Sequence, residues 1–379
     1  MSQALKVGFV SLGCPKNQLD AEVMLHELYD AGFEIVSEDI DADVVIVNTC
    51  AFIESAKQES IDNIIDIGWL KKNRQLKGIV VTGCLAERYR DAIFDELPEV
   101  DAVLGVGSIH DIVKAVKSAA KGKRYSSYLD KDCVALGGER IITTPEYYAY
   151  LKIAEGCDNR CTYCAIPNIR GRFRSRPMEE LVDEAKVLEG LGVKELVIVA
   201  QDTTRYGVDL YGEYKLAELI HKISEATSIP WLRVLYCYPD KITDELIAEF
   251  RNNPRLLKYI DLPIQHISEN ILRRMNRHGG SDVVRSAIAR LREIPGMVIR
   301  TTVICGFPGE TEADFEELCE FIKETKFDRL GAFAYSREED TPAYDFAGQV
   351  DEQVKQDRVD IVMAEQSRIS EELNRKKIG

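Results

Sequence analysis

Four short, largely apolar segments of this chain each run into a cysteine. Lys6–Val10 leads to Cys14 in Ser11-Leu12-Gly13-Cys14, and Val44–Val47 leads to Cys50 in Val47-Asn48-Thr49-Cys50. Ile79–Val81 leads to Cys84 in Val81-Thr82-Gly83-Cys84, and Tyr147–Ala154 leads to Cys157. A strand with one wet face alternates apolar and polar side chains. A run such as Val44-Val45-Ile46-Val47 is apolar on both sides and needs cover on both. Segments with helical spacing fall between these strands, near residues 18–31, 54–72 and 88–96, and a fourth strand is expected near 103–106. The first third therefore predicts an open parallel α/β sheet. In such sheets the binding crevice lies at the carboxyl ends of the strands, where Cys14, Cys50 and Cys84 all fall.

The β/α rhythm lapses around Gly122, Gly137, Gly138 and Pro145, then restarts. Strands are expected at Tyr147–Ala154, Lys194–Ala200, Trp231–Cys237, Lys258–Leu262, Met297–Cys305 and Arg329–Tyr335. Helical stretches such as Met178–Leu191, Lys215–Ala226 and Glu312–Thr325 separate them. Six successive βα units predict a partial, open (β/α)6 barrel. The expected organisation is an α/β domain over 1–125, a linker over 126–142, a barrel over 143–350 and a charged helical segment over 351–379. A chain of 379 residues is long enough for two cores.

Ten cysteines would suit a disulfide framework only in an oxidising compartment. Residues 1–6 lack a basic stretch followed by an apolar one, and no apolar run reaches membrane-spanning length. A cytoplasmic protein without a membrane partner is expected, so metal ligation is the better reading of the cysteines. The net charge of −15 argues against gripping nucleic acid by bulk electrostatics and suits a basic partner.

Cys157, Cys161 and Cys164 form C-x3-C-x2-C on one loop. Three thiolates there can hold three irons of a 4Fe–4S cluster and leave the fourth iron open to a reactant. Structural zinc would want a fourth protein ligand, and the nearest candidate histidine, His221, is far along the chain. Cys14, Cys50 and Cys84 can be read as small buried hydrophobes or as ligands of one centre. Their equivalent positions at three strand ends favour ligation. Cys133, Cys237, Cys305 and Cys319 have no matched spacing and read as packing residues.

With these motifs in view the chain resembles the radical S-adenosylmethionine (SAM) methylthiotransferase family over almost its whole length. The resemblance rests on Ser11-Leu12-Gly13-Cys14-Pro15-Lys16-Asn17, Asn48-Thr49-Cys50-Ala51-Phe52-Ile53, Thr82-Gly83-Cys84-Leu85 and the triad loop. It continues in Ala165-Ile166-Pro167, Arg170-Gly171, Tyr236-Cys237-Tyr238-Pro239, Asp261-Leu262-Pro263-Ile264-Gln265-His266 and Gly306-Phe307-Pro308-Gly309-Glu310-Thr311. Pro15-Lys16-Asn17, Phe52-Ile53 and Ser175-Arg176-Pro177 favour the branch that acts on ribosomal protein uS12 over the branch that modifies tRNA adenosine.

The resemblance implies a transferase that makes 3-methylthio-aspartate on uS12, as a free protein or on the small ribosomal subunit. It implies two 4Fe–4S clusters, an auxiliary one on Cys14/Cys50/Cys84 and a radical SAM one on Cys157/Cys161/Cys164. SAM would be the cosubstrate, a flavodoxin or ferredoxin the electron donor, and the protein a monomer. SAM contacts are expected from Tyr163, Gln201, Asp202, Gln265, Arg300, Gly306, Pro308 and Glu310. Arg300 reads equally as an ion-pair residue, and Gly306–Glu310 as an ordinary turn. Arg170 and Arg172, in a basic stretch with Arg174 and Arg176, and His266 are candidate substrate contacts. A solvated loop and a hydrogen-bonded structural histidine are the alternatives. The family's C-terminal TRAM β-barrel is expected to be missing, because the chain stops at Gly379. Asp340 stands before Thr341 where the family often has glycine. The rival functions are tRNA adenosine methylthiolation by the same chemistry and a non-catalytic iron–sulfur redox protein.

Overall fold

The computed structural model describes residues 4–37, 41–73, 76–132 and 136–378, so Cys133 lies outside the described residues. The chain divides into two compact units. One comprises 1–144 with 165–172, the other 145–164 with 173–379.

The first unit is a six-stranded sheet of β1 (Lys6–Ser11), β2 (Glu34–Val36), β3 (Val44–Thr49), β4 (Gly78–Gly83), β5 (Ala102–Leu104) and β6 (Tyr125–Ser127). Its order is β2-β1-β3-β4-β5-β6, and every pairing is parallel. Val45, Val47, Ile79 and Val81 pack on one face with Ile64 and Ile67 of the helix Glu54–Asn73. Val44, Ile46 and Val80 pack on the other with Met24 and Leu28 of the helix Pro15–Asp30 and Ile112 and Val116 of the helix Ile112–Ala119. Cover on both faces is what the continuous apolar runs require.

The edge strands β2 and β6 were not legible as strands. They are three residues long and only partly buried, so they carry no apolar run. β6 draws the start of the expected 126–142 linker into the sheet. The helix expected over 88–96 is two short ones, Cys84–Tyr89 and Ala92–Glu96, broken where Arg90 takes a left-handed φ of 46°.

In the second unit β7 (Tyr148–Lys152) is followed by a two-stranded antiparallel ribbon of β8 (Ala154–Glu155) and β9 (Arg174–Ser175). Then come β10 (Glu195–Val199), β11 (Trp231–Val234), β12 (Leu256–Asp261), β13 (Val298–Cys305) and β14 (Arg329–Ala334). The large sheet runs β7-β10-β11-β12-β13-β14 in chain order with parallel pairs, and its two edges do not pair, so it is an open partial barrel. The helix Glu352–Arg375 lies against the edge strand β14, with Val362 and Ile369 buried and Gln366 donating to the Phe327 carbonyl at 2.9 Å. Asp340 takes a left-handed φ of 61°, a conformation that glycine adopts at least cost. Among the described residues no helix is long and apolar enough to cross a membrane.

Candidate metal centres

Strand register brings the first three cysteines to one edge. Ser11 pairs with Asn48, Asn48 with Thr82 and Thr49 with Gly83, so β1, β3 and β4 end level. The chain leaves β1 for β2 on one side and returns to β3 on the other. That reversal between β1 and β3 is the topological switch point, where open α/β sheets bind ligands. Cys14 and Cys50 flank it, and Cys84 follows on the next strand. The three sulfurs lie close enough to act electrostatically on one another. A Cβ on Gly13 would stand 3.1 Å from Cys50 Cβ. Gly83 has φ of 90°, and a Cβ there would meet Asn48 Oδ1 and the Thr49 carbonyl at 2.5 Å, so only glycine lets the β4 end turn directly into the Cys84 helix.

Buried Asn17 holds this edge together. Its Nδ2 donates to the Thr49 carbonyl at 2.7 Å and the Leu12 carbonyl at 3.2 Å, and its own carbonyl accepts from Asn48 Nδ2 at 2.8 Å. Thr49 Oγ1 donates to the Thr82 carbonyl and accepts from the Leu85 amide. Ser60 Oγ donates to the Cys50 carbonyl at 2.9 Å and accepts from its amide at 3.0 Å. Arg170 is 2% exposed. Its Nη1 donates to Asp20 Oδ2 at 2.5 Å, and its Nη2 donates to Asn17 Oδ1 and to Cys84 Sγ, the latter at 3.6 Å.

The thiols respond differently to this setting. Burial pushes Cys14 up, but the charges of Lys16 and Arg170 and the amides of Asn17 and Lys16 outweigh it and hold Cys14 below the ordinary thiol range. Burial raises Cys50, and it raises Cys84 to about 12 despite the charge of Arg170.

The second cysteine set sits on one loop between β8 and β9. Arg160 turns it with a left-handed φ of 51°, and the Cys164 amide donates to the Cys161 carbonyl at 3.1 Å. Neighbouring elements hold it from outside. The Thr162 amide donates to the Met275 carbonyl at 3.0 Å, and Asn276 Nδ2 donates to the Arg160 carbonyl at 3.0 Å. Asn159 Nδ2 donates to Asp202 Oδ2 at 2.7 Å, and Lys241 Nζ donates to Asn159 Oδ1 at 3.1 Å. Tyr238 Oη lies 3.4 Å from Cys161 Sγ, and the Arg277 guanidinium stacks 4.1 Å over the Tyr238 ring with Nη1 3.9 Å from the same sulfur. Burial raises Cys157 to about 11.

Among the described residues no three His, Cys, Asp or Glu side chains gather as a single-ion site would. A tetrahedral zinc pulls its thiolates to about 3.8 Å from one another. A cuboidal cluster gives each thiolate its own iron and accepts a wider set. Three thiols with buried cations beside them, Lys16 and Arg170 in one site and Lys241 and Arg277 in the other, fit an anionic iron–sulfur cluster.

The radical SAM superfamily matches residues 151–322, and the family described as uncharacterized protein family UPF0004 matches residues 6–105. The ribosomal protein uS12 methylthiotransferase RimO of Thermoanaerobacter sp. (strain X514) is 50% identical over 374 residues, which is 98% of this chain and 86% of that protein. RimO of Clostridioides difficile (strain 630) is 51% identical over 377 residues, 99% of this chain and 85% of its own length. This chain belongs to the RimO family of radical SAM methylthiotransferases. The fold of this RimO-family chain is also that of the radical SAM methyltransferase TsrM from Kitasatospora setae, with a TM-score of 0.66 at 15% identity over 90% of this chain and 77% of that one.

The remaining expected residues fall into two groups. Tyr163, Gln201, Gln265 and Arg300 keep part of their surface exposed. Tyr163 sits edge-on to Phe307 beside Cys161 and Cys164, and burial pushes its hydroxyl well up. Gln265 takes a left-handed φ of 71°, and Arg300 Nε lies 3.6 Å from Asp261 Oδ1. The other residues are engaged internally. Asp202 is fully buried between Asn159, Thr204 and Lys241. Glu310 accepts from the Gly306 amide at 2.9 Å and from Arg358 Nη1 at 2.7 Å, while the Pro308 carbonyl accepts from Arg274 Nε. Gly306 is small for the sake of packing, because a Cβ would stand 2.2 Å from Lys355 Cγ.

His266 is buried, accepts the Ser268 amide on Nδ1, and turns Nε2 toward Glu310 Oε2 at 3.5 Å. Arg170 and His266, both expected as substrate contacts, are buried. In the basic stretch, Arg172 is exposed, and Arg176 is buried on Glu184. Cys237 and Cys305 are buried among packed side chains, as expected. Asn159, Tyr238, Lys241 and Arg277, which surround the second cysteine set, are not among the expected residues. Asn159 and Tyr238 lie inside motifs that were legible, whereas Arg277 carries no sequence signal.

Proposed function

We propose that this RimO-family chain is a radical SAM methylthiotransferase that converts an aspartate of ribosomal protein uS12 to 3-methylthio-aspartate. The observation that carries the reading is the coexistence of two thiol triads, one at a sheet switch point and one on a barrel-top loop. Two 4Fe–4S clusters and SAM, when bound, supply what side chains cannot: one-electron reduction, hydrogen removal from an unactivated carbon, and the sulfur and methyl to be added.

The chain's own residues bind and orient. Cys157, Cys161 and Cys164 would hold the cluster that supplies one-electron reduction of SAM. The Asp202–Asn159–Lys241 network fixes the loop that carries them. Tyr163, Gln201, Gln265 and Arg300 retain exposed atoms for the SAM adenosyl and carboxylate groups, while Glu310 and Pro308 shape the Gly306 turn behind them. Cys14, Cys50 and Cys84 would hold the second cluster, from which sulfur would be supplied. Arg172 stays exposed for an acidic or ribosomal partner. The acidic charge suits a basic ribosomal protein. The same reading makes the protein a cytoplasmic monomer served by a flavodoxin or ferredoxin.

The test is anaerobic turnover of the reconstituted chain with SAM, sulfide, reduced flavodoxin and uS12, read by mass spectrometry. A gain of one methylthio group on an aspartate is expected, with none on an adenosine-bearing anticodon stem. Tight iron binding with no SAM cleavage under strong reduction would instead indicate a redox protein.

A further inference from the structure

Arg170 is the more deeply buried of the two arginines of its stretch that the fold takes inside, at 2% exposed against 5% for Arg176. It belongs to the helix Ile166–Arg170, which packs through Ile169 and Ala165 into the core beneath β3 and β4. Its guanidinium is gripped at both ends. Asp20 takes Nη1, while Asn17 and the Cys84 sulfur share Nη2. A buried cation costs several kcal/mol in desolvation, and one carboxylate with good geometry offsets that. Asp20 alone would suffice for a structural pair. The second arm is instead turned toward sulfur, and Asn17, which sets its direction, is the residue that ties β1 to β3 at the switch point. Cys14 and Cys50 also feel the charge of Arg170.

We infer that Arg170 is the positioning residue of the Cys14/Cys50/Cys84 site and fixes the reduction potential of the cluster held there. The inference rests on the cluster reading above. One-electron reduction adds a negative charge to the cluster, and a fixed cation beside a ligand sulfur favours the more negative form. Arg170 therefore raises the potential, and Asp20, farther from the sulfur, trims that effect.

The experiment uses the full-length chain with Cys157, Cys161 and Cys164 replaced by alanine, so that only the first site can take iron. Reconstituted protein is titrated anaerobically with titanium(III) citrate as the one-electron reductant, and the reduced fraction is read by electron paramagnetic resonance. Arg170→Gln is expected to lower the reduced-to-oxidised ratio at fixed potential at least about tenfold, a shift of about 59 mV downward. Arg170→Lys restores most of it. Asp20→Asn shifts the ratio the opposite way, and Arg170→Gln with Asp20→Asn, which leaves no lone buried carboxylate, shifts it down about threefold. That sign pattern is the signature a merely structural pair would not give.

Cluster-loaded Arg170→Gln and double variants with an unchanged potential overturn the inference and leave the cluster reading standing. Failure of the Arg170-containing parent to bind iron and sulfide overturns the cluster reading itself. Should Arg170→Gln not fold, Asp20→Asn and the double variant decide alone, and no opposed shift between them counts against Arg170.

Discussion

Cys14, Cys50 and Cys84 are 36 and 34 residues apart and meet because three parallel strands end level. Cys157, Cys161 and Cys164 lie within eight residues of one another and need only a loop held still. The first site is an outcome of sheet register, so anything that shifts β1, β3 or β4 disperses it. The second is locally encoded, and the rest of the barrel only braces it, through Asn159, Tyr238, Asn276 and Arg277. A chain can thus build two similar candidate ligand sets by opposite routes, and they should fail in different ways.

The largest separation comes from the ligands. Cys161→Ala is expected to cut SAM cleavage about a thousandfold, while Cys14→Ala leaves cleavage within about threefold and removes methylthio transfer. Each variant should drop iron from about eight to about four per chain. Quantified 5′-deoxyadenosine and anaerobic iron analysis check this, and equal loss of cleavage in both variants would break the distinction.

Next is the register itself. Gly83→Ala puts a Cβ against Asn48 and the Thr49 carbonyl at a positive φ, and should destabilise the first unit by about 2–4 kcal/mol. Thermal unfolding and iron content would show the first site emptied and the Cys157 loop still loaded. Smaller is the brace of the second site. Asn159→Ala removes one partner from each of the buried Asp202 and Lys241, which keep each other, with an expected cost of about 1–3 kcal/mol and a fall in SAM cleavage of about tenfold to a hundredfold. Iron at the first site should not change.

The smallest effect separates individual thiols in the iron-free protein. Only thiolate is alkylated, so a lowered pKa means a faster reaction at a given pH. Cys14 is lowered, while Cys84 and Cys157 sit at about 12 and about 11. At neutral pH iodoacetamide should modify Cys14 at least about tenfold faster than Cys84 or Cys157. The two slow thiols should still be gaining about tenfold per pH unit below their own pKa. Mass mapping of a pH series reads the order.

Several features are legible in the sequence. Val44–Val47 reads as a strand covered on both faces, and its two faces are buried in separate cores. All six barrel strands fall where the apolar runs lie. The strands β2 and β6 escaped notice because half-exposed three-residue strands have no period to detect. Charge in sequence suggests a surface, whereas the burial of Arg170 beside Asp20 is a property of packing.

The sequence by itself determined the periodic elements, the spacing of the C-x3-C-x2-C loop and the placement of three more cysteines just past strand ends. These follow from local rules, since side-chain alternation and loop length need no distant partner. Tertiary structure alone decided that β1, β3 and β4 end level, that Asn17 ties their ends, and that Arg170 turns inward onto Cys84. Strand register and the pairing of buried charges depend on residues far apart in the chain, and one linear sequence does not display how those residues meet.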